Sequence, residues 1–146
     1  MSFLSSMNIS ASGMTAQRLR LDTAAENISN METTRTAAGG PYRRKVVTLQ
    51  SANTGNFRQA FNSAATRGKT PGGVIATQVS DDTRPFEAVY NPEHPDADAN
   101  GYVLMPNVDL TKETVDSMSA TRSYEANITA FNAIKLMAQK ALEIGR

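Results

Sequence analysis

The chain of 146 residues contains no cysteine, and only 6% of its residues are aromatic. Without cysteine it can form no disulfide, hold no metal through a thiolate and carry no cysteine nucleophile. No apolar run approaches the ~20 residues that a membrane-spanning helix needs. The N-terminus lacks the basic, then apolar block of a cleaved secretory signal. We therefore expect one domain with a modest core, either cytosolic or exported by a route that needs no such signal.

Groups for catalysis or metal binding are also scarce. His94 is the only histidine, so the sequence supports no Ser-His-Asp relay. The stretch DADANG at 96–101 matches the start of a calcium loop, but Asn107 holds the position that needs a bidentate glutamate. A tight turn without metal is the favoured interpretation, since Asp, Asn and Gly form such turns. We predict no enzymatic activity, no cofactor and no metal.

Charge is distributed unevenly along the chain, although the net charge is only +1. Residues 32–80 carry +6 and residues 81–107 carry −5, whereas the two ends are neutral. Opposite patches suit contacts between subunits, but two loops that neutralise each other are an equally good interpretation. A nucleic-acid contact at the basic stretch 41–45 is disfavoured, because the acidic segment cancels its charge. The candidate lateral contacts are Arg43, Arg44, Lys45, Asp81, Asp82, Asp96 and Asp98.

Apolar residues near the N-terminus predict a long helix. They recur at spacings of three, four and seven residues, which places them on one helical face for about four heptads. A seven-residue repeat indicates a supercoil with a partner helix. The residues predicted to pack against neighbouring subunits along this face are Leu4, Met7, Met14, Leu21 and Ile28.

The C-terminal segment 108–146 predicts a second long helix. It contains no proline, its only glycine is Gly145, and Asp109 stands where an N-cap is expected. Two adjacent apolar stripes give it a wide apolar face. The residues predicted to pack there are Val115, Met118, Tyr124, Ile128, Phe131, Ile134 and Met137.

In the middle of the chain, the spacing of apolar residues changes from the helical period to that of β-strands. Short strands are predicted at 45–50, 73–79, 86–90 and 102–105, with a hairpin connection at 91–101 and a mobile polar loop at about 51–72. The predicted fold is α+β. An N-terminal helix (1–34) and a C-terminal helix (108–146) form an antiparallel coiled-coil pair, with a small β-rich insert (35–107) between them. Such a pair leaves apolar surface for neighbouring subunits, although periodicity equally allows a monomeric domain.

Long stretches of the chain resemble the bacterial flagellar rod and hook family. The first is SGMTAQRLRLDTAAENISN at 12–30, which resembles the N-terminal signature of that family. TRTAAGGPYRRKVV at 34–47, HPDADANGYVLMPNVDL at 94–110 and MSATRSYEANITAFNAIKLMAQKALEIG at 118–145 continue the resemblance. It covers nearly the whole chain in the right order, and it is closest to the proximal-rod branch.

The resemblance implies a structural subunit of the proximal rod, assembled helically in the periplasm. Such a rod is the drive shaft that transmits torque and encloses the export channel. The implied partners are copies of the chain, the rod proteins FlgB, FlgF, FliE and FlgG, and the flagellar type III export apparatus, which needs no cleavable signal. Neither nucleic acid nor a membrane span is implied. The competing interpretation is a cytosolic helical-hairpin protein with a binding or chaperone-like role.

Overall fold

The computed structural model describes residues 3–37, 39–52, 61 and 72–144. Two long helices flank four short strands along the chain. The helices are α1 (Phe3–Ser29) and α2 (Leu110–Ile144), and the strands are β1 (Lys45–Ser51), β2 (Val74–Asp81), β3 (Glu87–Tyr90) and β4 (Tyr102–Met105). The predicted α+β class, with long terminal helices around a small β-rich insert, is confirmed. The polar loop predicted at 51–72 lies almost entirely outside the described residues. Within the described ranges, neither helix is long and apolar enough to cross a membrane.

The two helices pack side by side and run antiparallel. Gly13 lies against Asn127, and Asn27, further along α1, donates a hydrogen bond to Glu113 near the start of α2. Between them, Arg20 pairs with Asp116. Gly13, Arg20 and Asn27 are spaced by seven residues, so the face of α1 that meets α2 follows a heptad repeat.

The contact line between the helices, which we call the seam, consists mainly of small and polar residues. On α1 the buried residues are Ser10, Ala16, Thr23, Ala24 and Asn27, and on α2 they are Glu113 and Ala120. Small side chains let two helix backbones approach closely. At Gly13 an added Cβ would lie only 3.0 Å from the Oδ1 of Asn127. The close approach therefore depends on glycine at this position.

The four strands form two separate antiparallel ribbons. In the first, β1 pairs with β2 from Lys45 opposite Asp81 to Ser51 opposite Val74, with an irregularity after Thr48. Both strands of this ribbon pack on α1. In the second, β3 pairs with β4, and Tyr90 stands opposite Tyr102. The insert is thus a ribbon attached to α1, followed by a hairpin.

The start of α2 is capped as the sequence predicts. The Oδ1 of Asp109 accepts hydrogen bonds from the backbone N–H groups of Thr111, at 3.0 Å, and Lys112, at 3.3 Å. These bonds satisfy donors that have no partner within the helix. The hydrogen bond with the Lys112 N–H is also the largest cause of the lowered pKa of Asp109. The orientation of α2 is therefore fixed at its first turn.

Replacing Gly13 with leucine is expected to force the helices apart. Overpacking at a tight contact costs about 1–3 kcal/mol, which exceeds the gain of less than ~1 kcal/mol from a better helix former. The free energy of unfolding of the full chain, measured in urea by circular dichroism, should fall by about that difference. Thr15→Leu, at an exposed position of the same helix, is the control. Equal stability of the two variants would show that the seam widens at Gly13 without cost.

Candidate subunit-packing surfaces

Asn27, near the end of α1, joins three parts of the chain through its side-chain amide. Its Nδ2 donates to the carbonyl of Lys45 and to Oε2 of Glu113, both at 2.9 Å. Its Oδ1 accepts from the Tyr42 hydroxyl at 3.0 Å and from the Lys45 N–H at 2.9 Å. Only 1% of Asn27 is exposed, and the amide has used its two donors and both acceptor positions. The end of α1, the start of β1 and the first turn of α2 therefore meet at one side chain.

Glu113 supplies the charge at this meeting point. It is also 1% exposed, and its Oε1 accepts from the Nε of Arg44 at 2.6 Å. A buried carboxylate is costly unless it is paired and fully hydrogen-bonded. Arg44, the residue before β1, provides the ion pair, and Asn27 on α1 provides a hydrogen bond. We call Asn27, Tyr42, Arg44 and Glu113 the polar junction.

A second layer of contacts ties the segment before β3 to the polar junction. Asn107 accepts a hydrogen bond from the Arg44 N–H at 2.9 Å and donates to the carbonyl of Arg84 at 3.1 Å. Arg43 donates to the carbonyl of Asp82 at 2.9 Å, and its guanidinium lies 4.4 Å from the centre of the Phe86 ring. The insert is consequently held against the helices by polar contacts as well as by packing.

A cleft of about 410 Å³ lies between the seam and the first ribbon. Its polar walls include Arg20, Arg44, Glu113 and Asp116. Arg20 pairs with Asp116, and Arg44 pairs with Glu113. Because these groups satisfy one another, we assign the cleft to packing. Among the described residues, no three histidine or acidic side chains are arranged to hold a metal ion.

The predicted packing residues of α1 lie beside the seam. Ser12, one residue before Gly13, accepts a hydrogen bond from the Val74 N–H of the ribbon at 3.0 Å. Consecutive residues are turned by about 100° around a helix, so residues that follow the seam positions lie on the flank opposite the ribbon. The predicted residues on this flank, which we call the methionine flank, are Met7, Met14, Leu21 and Ile28. All four are half-buried, and Leu4 is exposed.

The predicted packing residues of α2 divide between two sides of the helix. Tyr124, Phe131 and Ile134 are half-buried near the seam, and Ile128 is exposed. Val115 and Met137 are each 55% exposed, and Met118 is exposed as well. By helical geometry Val115 and Met118 point away from the seam, whereas Met137 lies on its flank, about 80° around the helix from Asn127. We call the side away from the seam the outward face of α2; its residues are Val115, Met118, Arg122 and Leu136.

The last turns of α2 extend past the described start of α1. Gly13 lies opposite Asn127. Because the helices are antiparallel, Phe3, ten residues before Gly13, lies level with Met137, ten residues after Asn127. The turns beyond Met137 thus have no part of α1 opposite them among the described residues. Leu142 and Ile144 on these turns are largely exposed. This overhang adds to the apolar surface that the helix pair leaves uncovered.

The predicted charged contacts are brought together only in part. Arg44 lies 3.6 Å from Asp82, and Lys45 pairs with Glu26 on α1. Asp81 stands opposite Lys45 in the ribbon. Asp96 and Asp98 lie elsewhere, in the connection between β3 and β4, where Asp96 accepts a hydrogen bond from the Thr34 hydroxyl at 2.8 Å. The basic cluster is therefore engaged within the chain, whereas the acidic hairpin connection is separate from it.

Comparison with known proteins gives consistent matches at both ends and along the whole chain. A family model described as flagella basal body rod protein matches residues 7–35, and one described as flagellar basal body rod FlgEFG protein C-terminal matches residues 99–144. The chain is 49% identical to the flagellar basal-body rod protein FlgC of Bacillus subtilis, over 97% of each chain. It is 40% identical to the FlgC proteins of Borreliella burgdorferi, over 99% of this chain and 98% of the relative, and of Salmonella typhimurium, over all of both.

The chain belongs to the FlgC family. As a FlgC-family protein it is a structural subunit of the rod of the bacterial flagellar basal body. The surfaces described above thus belong to a protein whose relatives are rod components, and assembly with other basal-body components follows from that membership.

The polar junction of this FlgC-family chain was not predicted from its sequence. The sequence signal that could have revealed it is the seven-residue spacing of Gly13, Arg20 and Asn27. Each of these residues directly precedes a member of the apolar repeat Met14, Leu21 and Ile28. Polar residues at such spacing are normally assigned to the solvent side of a helix. Only the position of Glu113, far along the chain, shows that Asn27 is buried.

Asn27→Ala is expected to lower the free energy of unfolding by roughly 2–4 kcal/mol, because it leaves buried partners on Tyr42, Lys45 and Glu113 unsatisfied. Urea unfolding of the full chain would measure the loss. Asn8→Ala, at an exposed position of α1, is the control and should change the stability by less than ~0.5 kcal/mol. Similar values for both variants would contradict the assigned role of Asn27.

Acid sensitivity is expected to depend on Asp82. The side-chain hydrogen bond from Arg84 is the largest cause that lowers the pKa of Asp82 from 3.8 to about 2. The folded state thus favours the carboxylate, and its contribution to stability is present above pH 3.8 and is lost as the pH falls through about 2. Asp82→Asn should reduce the loss of stability in this range, measured by urea unfolding at several pH values. Asp22→Asn, at an exposed position of α1, is the control; identical pH profiles for wild type and Asp82→Asn would refute the assignment.

Proposed function

We propose that this chain forms part of the proximal rod, where it assembles helically in the periplasm into a shaft that transmits torque and encloses the export channel. The observation that supports this most directly is the outward face of α2. Its large apolar residues are exposed although the helix already has a partner in α1. A helix that is apolar on two sides needs a further neighbour on the second side.

The proposed packing residues are those predicted from the sequence. Leu4 and the methionine flank of α1 would meet one neighbour, and Val115 and Met118 on the outward face of α2, with Met137 on its flank, another. Tyr124, Phe131 and Ile134 contribute near the intramolecular seam, with Ile128 at its edge. Each large apolar side chain that becomes buried contributes about 1.5–3 kcal/mol. Contacts between different faces of identical subunits continue indefinitely when the rotation does not close a ring, and they produce a helical filament.

The proposed division of the chain follows from this arrangement. Residues 1–34 and 108–146 form an inner helical domain, and residues 35–107 form a β-rich region further out. The polar junction holds the two regions together, so force applied to the helices passes to the insert through hydrogen bonds and ion pairs. Torque transmission requires a stiff, well-packed shaft and no active site.

The proposed partners are copies of this chain, the rod proteins FlgB, FlgF, FliE and FlgG, and the type III export apparatus of the flagellum. Export by that route needs no cleavable signal. The cytosolic binding protein considered as an alternative would instead remain as a soluble pool.

Met137→Asp is expected to exclude the protein from the rod and to abolish swimming, because a carboxylate would replace an exposed apolar residue in a contact that becomes buried. Immunoblots of purified basal bodies and motility in soft agar would measure this. Gln139→Asp, at an exposed polar position two residues later, is the control and should behave as wild type. Normal incorporation of Met137→Asp would remove this end of α2 from the contact. Wild-type protein found only in the cytosol would overturn the proposed function.

A further inference from the structure

The two faces of the β3–β4 hairpin are covered to different extents, and of its strand residues only Val103 is fully buried. Val103 on one face is 2% exposed, whereas Tyr90 on the other face is 64% exposed. Alternation along the paired strands places Ala88, Tyr90, Tyr102 and Leu104 on the exposed face. We call this set the tyrosine face. Among the described elements, β3 and β4 pack only on each other, so neither helix of the same chain covers it.

The tyrosine face presents a preformed aromatic surface. The rings of Tyr90 and Tyr102 meet edge to face, with centroids 5.3 Å apart. Tyrosine offers a large contact area with few rotatable bonds, and it is enriched among the residues that dominate protein interfaces. An exposed cluster of this kind, on a face that no helix or other described strand covers, indicates a contact surface.

A cleft of about 250 Å³ adjoins this face and has acidic walls. Asp96 and Asp98 line it together with Arg35, and Tyr102 and Leu104 form its apolar side. The hydrogen bond from the Thr34 hydroxyl fixes Asp96, and the bond from the Asp98 N–H to the Tyr102 carbonyl fixes the loop. Two carboxylates against one guanidinium leave the cleft with a net negative charge. It therefore suits a cationic side chain that is flanked by apolar residues.

The outward face of α2 carries such a cation. Val115, Met118 and Arg122 are spaced by three and four residues, so they share one side of the helix over ~10 Å, and all three are exposed. Two other cations of α2 are engaged on their own helix, because Lys112 pairs with Asp109 and Lys140 with Glu143. Lys135 is exposed as well, but it follows Arg122 by 13 residues, which turns it about 140° away from this side of the helix. Arg122 is thus the cation that lies beside Val115 and Met118.

We propose that the tyrosine face of one copy docks on the outward face of α2 of the next copy. Val115 and Met118 pack on the tyrosine rings and Leu104, and the guanidinium of Arg122 enters the cleft and pairs with Asp98. Arginine suits this position because it pairs with carboxylates in a defined geometry and also stacks on aromatic rings. The two surfaces differ, so each copy offers one of each and the contact repeats along the assembly. This inference rests on the proposed rod function and names the faces that join.

The absence of cysteine allows a direct test by disulfide cross-linking. Two copies with different tags would be expressed together, one with Tyr102→Cys and one with Met118→Cys, and basal bodies would be purified and oxidised. A cross-linked dimer of the two tags is expected, since a disulfide requires Cα atoms within roughly 7 Å. Gln139→Cys in place of Met118→Cys is the matched control and should give no dimer. A product between Tyr102→Cys and a different rod protein would overturn the inference.

Exchange of the two charges provides the second measurement. Arg122→Glu and Asp98→Arg are each expected to lower the amount of protein in basal bodies by at least about tenfold, because each places like charges in contact. The double variant restores an attractive pair and should return to within about threefold of wild type. Arg18→Glu, at an exposed arginine of α1, is the control. Normal incorporation of either single variant, or no recovery in the double variant, would overturn the inference. Wild-type protein absent from basal bodies would instead refute the proposed function.

Discussion

A single buried carboxylate, that of Glu113, determines how the parts of this chain fit together. Its charge is tolerated because Arg44 and Asn27 reach it from two other elements. If either were missing, the carboxylate would be left in a poorly solvated site, which is strongly unfavourable. The helix pair and the first ribbon are therefore stabilised by the same group.

The distribution of side-chain size is the reverse of that in a self-contained domain. The seam between α1 and α2 contains alanine, serine, threonine and glycine, whereas many of the large apolar residues lie beside it or on the far side of α2. Close packing of the Asn127 side chain on Gly13 compensates in part for the small buried area. Folding alone leaves large apolar surfaces in water, and burial against neighbours is the remaining way to gain their contribution. This agrees with membership of a family of rod subunits.

Much of the fold could be predicted from the sequence, because each element has a regular pattern. The period of seven along residues 4–28 and the absence of proline after residue 108 identify both helices, and alternation identifies the strands to within about two residues. The face of α1 that meets α2 could not be predicted. An apolar pattern favours Met14, Leu21 and Ile28 as the contact residues, yet the residue before each of them contacts α2. That contact depends on polar partners on α2, which lie far along the chain.

The charged segments illustrate the same limit. The opposite charges of residues 32–80 and 81–107 are evident from composition, but composition cannot distinguish contacts within a chain from contacts between chains. The structure uses Arg43 and Arg44 internally and leaves the acidic hairpin connection apart from them. Local sequence therefore identified the residues that carry charge, and only the three-dimensional arrangement shows which partner each one has.

The bond between Asn27 and Glu113 spans 86 residues of sequence. A chain delivered N-terminus first presents α1 long before the start of α2 is available. During that interval Asn27 has no carboxylate to bind, and Gly13 has no Asn127 side chain against which to pack. The contacts that join α1 to α2 can therefore form only when the last quarter of the chain begins to arrive, and until then the first three quarters lack their partner helix.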